Sequence, residues 1–146
     1  MVILSKFAES LSALMEEHNI NAPALAEKLN LHRTSITRYL CGERLPNYED
    51  FVALIEYFNV SADVLLGRID YCDVGEFHPI QPFGTTLQQA MKDADVSQYR
   101  IQKDLHFSSA TTNSWVSNKK LPAMDRVDKL ADYLDVSVDY LLGRIR

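Results

Sequence analysis

The chain repeats itself. Val60-Ser61-Ala62-Asp63-Val64-Leu65-Leu66-Gly67-Arg68-Ile69 returns 76 residues later as Val136-Ser137-Val138-Asp139-Tyr140-Leu141-Leu142-Gly143-Arg144-Ile145. The same offset, without a gap, lays Phe7 on Phe83, Leu11 on Leu87, Met15 on Met91, Leu29 on Leu105, Leu45-Pro46 on Leu121-Pro122, Leu54 on Leu130 and Tyr57 on Tyr133. A fixed period of this kind means that one supersecondary unit occurs more than once. Each copy has about sixty residues, a size that folds alone with little margin. Between the copies, Asp70 to Pro82 contains Gly75, Pro79 and Pro82, which interrupt helices and mark a linker. The expected organisation is a first domain over 1–69, a linker over 70–82 and a second domain over 83–146. Thirteen extended linker residues reach roughly 43 Å at about 3.3 Å each.

Each unit reads as a set of short helices. Phe7, Leu11, Leu14 and Met15 recur at helical spacing. Asn21 is placed to cap a helix that tolerates Pro23 in its first turn and runs to Leu29. A second helix spans about Arg33 to Cys41, with Gly42 to stop it. Asn47 caps a helix through Phe58, and Ser61 a last short one ending at Gly67. Ser97, Ser108 and Ser137 fill cap positions in the second unit. No window alternates long enough for a strand. The fold class is all-α, with about five helices per unit.

The helix from Arg33 to Leu40 is the candidate for chemistry. At about 100° per residue, Ile36, Tyr39 and Leu40 share one side. Arg33, Thr34, Ser35, Thr37 and Arg38 offer guanidiniums and hydroxyls elsewhere on it. Arg can donate two bonds to guanine, and Thr can bond a base or meet a thymine methyl. Arg44, in the next loop, is near enough to hold a phosphate. An ordinary solvated amphipathic helix would show the same pattern taken alone.

The corresponding helix of the second unit turns Thr112, Trp115 and Val116 inward and Ser109, Ala110, Asn113, Ser114 and Ser117 outward, with no cation on that polar side. Asn113 can read adenine bidentately. Gln98, Ser109 and Ser114 are further candidates, and Arg100, Lys119 and Lys120 can hold phosphates. Two readings stand: a second, weaker DNA reader, or a dimerisation unit whose Ser and Asn keep a surface helix soluble.

Charge constrains both. The chain carries 15 basic and 20 acidic residues, a net −5. Residues 1–70 have six basic and ten acidic, or −4, and residues 71–146 nine and ten, or −1. Phosphate affinity comes mainly from Lys and Arg, so sequence-independent binding should be weak. Cys41 and Cys72 make no disulfide framework, and Cys72 with His78 is too small a ligand set for a metal. No cofactor or small-molecule ligand is expected. No nucleophile–base pair or phosphate loop emerges, so an enzyme is not expected. No apolar run spans a membrane, and the first five residues lack the pattern of a signal peptide, so a cytoplasmic protein is expected.

Leu25-Ala26-Glu27-Lys28-Leu29-Asn30-Leu31-His32-Arg33-Thr34-Ser35-Ile36-Thr37-Arg38-Tyr39 resembles the helix-turn-helix of the phage-repressor (Cro/CI, XRE) family. Gly42-Glu43-Arg44-Leu45-Pro46 is similar to that family's loop after the recognition helix, and Leu65-Leu66-Gly67 to its closing turn. The resemblance covers 5–68 well and 83–144 less well. It implies two tandem lambda-repressor-like five-helix domains, the second degenerate. It also implies a bacterial or phage regulator at the nucleoid, with double-stranded DNA as partner and the 33–41 helix in the major groove. The second unit then serves an intramolecular pseudo-dimer or a homodimer; a protein-interaction module (antirepressor or adaptor type) is the alternative. The sequence departs from the family in two ways. Ala22 replaces the Gln common early in the motif, which Gln98 retains. Met15 and Leu40, like Met91 and Val116, stand where many members bury an Arg–Glu pair, a replacement that is often neutral or stabilising.

Overall fold

A computed structural model describes residues 2–72 and 76–145. Gly75, one of the residues expected to mark the linker, lies outside them. The described residues form ten helices and no strand. The chain divides into two compact units at 73/74.

The first unit holds α1 (Val2–Glu17), α2 (Ala22–Leu29), α3 (Arg33–Leu40), α4 (Tyr48–Phe58) and α5 (Ala62–Leu65). The starts of α2, α4 and α5 are set by side-chain caps. Asn21 Oδ1 accepts from the Ala24 amide at 2.9 Å, Asn47 Oδ1 from Asp50 at 2.8 Å, and Ser61 Oγ from Asp63 and Val64. Each such cap is worth about 0.5–2 kcal/mol against alanine. Asn30 and Asn59 end α2 and α4 in the left-handed region, and Gly42, at φ +72°, turns the chain out of α3. Phe7, Leu11, Leu25, Ile36, Tyr39, Phe51, Leu54, Ile55 and Leu65 form the core. Leu40, expected on the inner side, is only half-buried.

The second unit holds α6 (Phe83–Ala94), α7 (Gln98–Leu105), α8 (Ser109–Val116), α9 (Met124–Leu134) and α10 (Val138–Leu141). Ser97, Ser108 and Ser137 cap α7, α8 and α10. Phe83, Leu87, Ile101, Trp115, Val127, Leu130 and Leu141 are buried with Thr112. Val116, expected among the core residues, is half-buried. Asn118 takes the left-handed conformation that Gly42 has in the first unit, and its Oδ1 accepts from the Gly84 amide at 2.7 Å.

The expected linker is not all free chain. The His78 amide donates to the Arg144 carbonyl at 2.8 Å and the Gln81 amide to Leu142 at 2.9 Å, so residues 78–81 lie along the end of the second unit. By the repeat, this strap corresponds to residues 2–5, which are helical in α1. Pro79 and Pro82 explain the difference, because proline lacks the amide proton and disfavours helix in the residue before it. The helix therefore starts only after Pro82.

A second feature is shared by both units. Asp63 accepts from Arg68 Nε at 2.9 Å, and Asp139 from Arg144 Nη1 at 3.0 Å. These are the charged residues of the repeated segment, and they tie the residue after the closing glycine back to α5 or α10.

Candidate nucleic-acid interface

α3 starts at Arg33, directly after the short turn that follows α2. Ile36 and Tyr39 are 0% and 1% exposed and fix its inner side. Arg33, Thr34, Thr37 and Arg38 are all exposed. The Thr37 hydroxyl donates to the Arg33 carbonyl at 3.0 Å, which leaves its methyl and its oxygen lone pairs for a partner. Arg38 has one acidic neighbour, Glu43, at 3.9 Å; both side chains are more than half exposed, so this contact is weak.

Arg44 and Ser35 belong together. Arg44 Nη2 donates to Ser35 Oγ at 3.2 Å, and the guanidinium lies 5.5 Å over the Tyr39 ring. The Tyr39 hydroxyl donates to Asp50 Oδ2 on α4 at 3.1 Å. Burial, and next the Asp50 carboxylate, push that hydroxyl up from 10 to about 12, with Arg44 opposing. Ser35 is half-buried, and its oxygen is engaged by Arg44. The loop cation is thus held beside α3 by two contacts. A helical wheel gives the face of Ser35 but not this partner nine residues on.

In the second unit the corresponding surface is polar and internally bonded. Gln98, half-buried at the start of α7, donates from Nε2 to Asn113 Oδ1 and, at 3.3 Å, to Thr112 Oγ1. Gln102 reaches the same Thr112 hydroxyl at 2.7 Å. Asn113 is exposed, with its carbonyl oxygen taken by Gln98 and its amide nitrogen the group left to donate. Ser109 is exposed. Ser114 is half-buried and donates to the Thr111 carbonyl at 2.6 Å; Ser117 donates to Asn113 at 2.7 Å. Lys119 and Lys120 are exposed in a loop whose amides both bond the Ser114 carbonyl. Arg100 is exposed beside the Tyr133 hydroxyl, which donates to Asp104 at 2.5 Å; that hydrogen bond raises the hydroxyl, and Arg100 counters it.

Arg126 was not among the residues singled out from the sequence. Arg126, on α9, is exposed, and its guanidinium lies 5.4 Å from the Phe107 ring and 5.8 Å from the Trp115 ring. The signal was the repeat itself, which sets Arg126 against Asp50 and so inverts the charge at that position.

In each unit, two short packed helices followed by a loop and closing helices make the helix-turn-helix arrangement, which is found in DNA-binding domains. Residues 11–65 match the helix-turn-helix family, and residues 86–146 the Cro/C1-type HTH DNA-binding domain. The chain thus carries two tandem helix-turn-helix domains, the second matching the Cro/C1 type. It is similar to an HTH-type transcriptional activator, BcrR of Enterococcus faecalis, at 34% identity over 71 residues, covering 49% of this chain and 35% of that protein. The chain thus spans about a third of the length of that relative. No solved structure matches it. None of the helices among the described residues is long and apolar enough to cross a membrane.

Proposed function

We propose that this chain is a sequence-specific, repressor-like transcription regulator that acts at the nucleoid by occupying operator DNA, with α3 in the major groove. The observation that carries the reading is the division of α3: Ile36 and Tyr39 are buried while Arg33, Thr34, Thr37 and Arg38 are exposed together. Arg33 and Arg38 bond guanine edges, and the two threonines meet thymine methyls or base acceptors. Arg44, tethered by Ser35, holds a phosphate. That assigns Ser35 to positioning rather than to base reading.

In the second unit, Asn113 is the base reader and Gln98 fixes its orientation, with Ser109 and Ser114 beside it. Arg100, Lys119 and Lys120 contact the backbone. The two units act as a built-in pair on one operator. The BcrR relative is named an activator, so the sign of regulation is read with a reporter whose operator overlaps the promoter. Repression is the outcome this reading expects.

The protein-interaction reading has one observation in its favour: Ser114 and Ser117 turn their hydroxyl protons into the helix's own carbonyls, on a chain of net charge −5. A gel shift of the purified protein against genomic fragments at low salt decides between them. A discrete shifted band that survives competitor DNA supports the regulator. No shift at any protein concentration rejects it.

A further inference from the structure

The repeat places Trp115 where the first unit has Tyr39, Lys120 where it has Arg44, and Arg126 where it has Asp50. In the first unit the cation over the ring comes from the loop after α3. In the second unit a guanidinium also lies over the ring, but it comes from α9, because the residue that is a carboxylate in α4 is arginine there. Phe107, the other ring under Arg126, meets Trp115 edge-on at 5.2 Å and directly precedes Ser108, the cap of α8. The charge therefore stands beside Phe107, just ahead of α8, and over Trp115, in the last turn of α8. In a helix-turn-helix the start of the second helix meets the DNA.

Arg126 forms no ion pair among the described residues, and it is exposed. A guanidinium stacked on aromatic faces is already restrained, so it loses less freedom when it binds, and its N–H fork remains available for a phosphate.

We infer that Arg126 is a phosphate-contact residue of the second unit, the counterpart of Arg44 in the first, and that α8 accordingly faces DNA. The inference rests on the proposal that the chain binds DNA. It adds a cation next to α8, whose own polar side carries none.

The test is a salt titration of binding by the full chain, on its selected operator and on a scrambled duplex of equal length. Wild type is compared with Arg126→Gln and Arg126→Lys. Arg126→Gln lowers affinity by the same factor on both duplexes and flattens the log–log salt slope by about 0.9. Arg126→Lys keeps the wild-type slope. Trp115 is the chain's one tryptophan, so its fluorescence reports the ring environment in every variant. An Arg126→Gln protein with wild-type slope and affinity overturns the inference and leaves the DNA reading intact. Loss of binding in both variants together with a changed Trp115 emission and a lowered melting point also overturns it, by assigning Arg126 to packing. A wild-type protein that binds no duplex at low salt rejects the DNA reading, and this inference with it.

Discussion

Arg144 donates from Nη1 to the Asp139 carboxylate at 3.0 Å, and the two side chains are only 3% and 2% exposed. The guanidinium also lies 3.9 Å from the centre of the Phe77 ring, and the Arg144 carbonyl accepts the His78 amide. One residue thus holds both the closing turn and the strap that precedes α6. Removing one partner of a buried pair strands the other's charge, at a cost of about 3–5 kcal/mol. Arg144→Ala should cost that much in denaturant unfolding followed at Trp115. The matching Arg68→Ala should cost less, because Arg68 is 18% exposed and water can reach the stranded Asp63. Equal losses would contradict this ranking.

At Gly84 the backbone of α6 lies against that of α8. A Cβ there would fall 2.6 Å from the Val116 carbonyl and nearer still to that of Trp115, and both are backbone atoms that cannot swing aside. Gly84→Ala should destabilise the second unit by about 1–3 kcal/mol, the usual cost of overpacking. Ala8 occupies the same place in the first unit, so Ala8→Gly there should bring no comparable gain. Thermal melts of the two variants check both statements.

Alkali should act on the first unit. The Tyr39 hydroxyl is pushed up to about 12, and burial raises Tyr48 as well. A raised folded value means the neutral form is favoured by folding. The stability it carries is therefore complete below pH 10 and is lost as pH rises towards 12. Helical circular dichroism in urea should show a midpoint falling over that window. The Tyr39→Phe, Tyr48→Phe double variant should show a shallower fall. An unchanged pH profile in that variant would remove these two tyrosines as the cause.

Operator symmetry separates a built-in pair from a homodimer. If both units of one chain read DNA, the preferred site is asymmetric, with two contacted grooves about 34 Å apart. Mass measurement then finds one chain per duplex. Two chains on an inverted repeat, with Asn113→Ala silent, would assign the second unit to dimerisation. The salt slope bounds the contacts independently. Arg33, Arg38, Arg44, Arg100, Lys119, Lys120 and Arg126 make at most about seven phosphate contacts, so a slope steeper than about −6 would require a further basic surface.

The local rules were legible in the sequence. Asn21, Asn47, Ser61, Ser97, Ser108 and Ser137 cap the helices they were expected to cap, because a cap needs only its own side chain and the next three amides. Periodicity placed Ile36 and Tyr39 correctly on the inner side of α3 but set Leu40 deeper than it lies, and the family followed from the motif. Contacts that join residues by folding were not legible. The repeated Asp–Arg pair was visible as a recurring segment, but its burial was not. Ser35 was placed with the base readers because its distance from Arg44 depends on how the following loop closes. The strap over 78–81 resembled a linker because two prolines mark a break in helix without showing what the extended chain then packs against. Arg126 escaped notice because it lies on a neighbouring helix, outside the motif that defines the site.

The central claim is that Arg33 and Arg38 read bases. Selection from a randomised duplex library, run in parallel with wild type, Arg33→Ala and Arg38→Ala, tests it most directly. Each substitution should cost roughly 1–3 kcal/mol on the wild-type operator and flatten the preference at one or two positions of one half-site, with melting unchanged. Both variants selecting the wild-type sequence with wild-type affinity would contradict it.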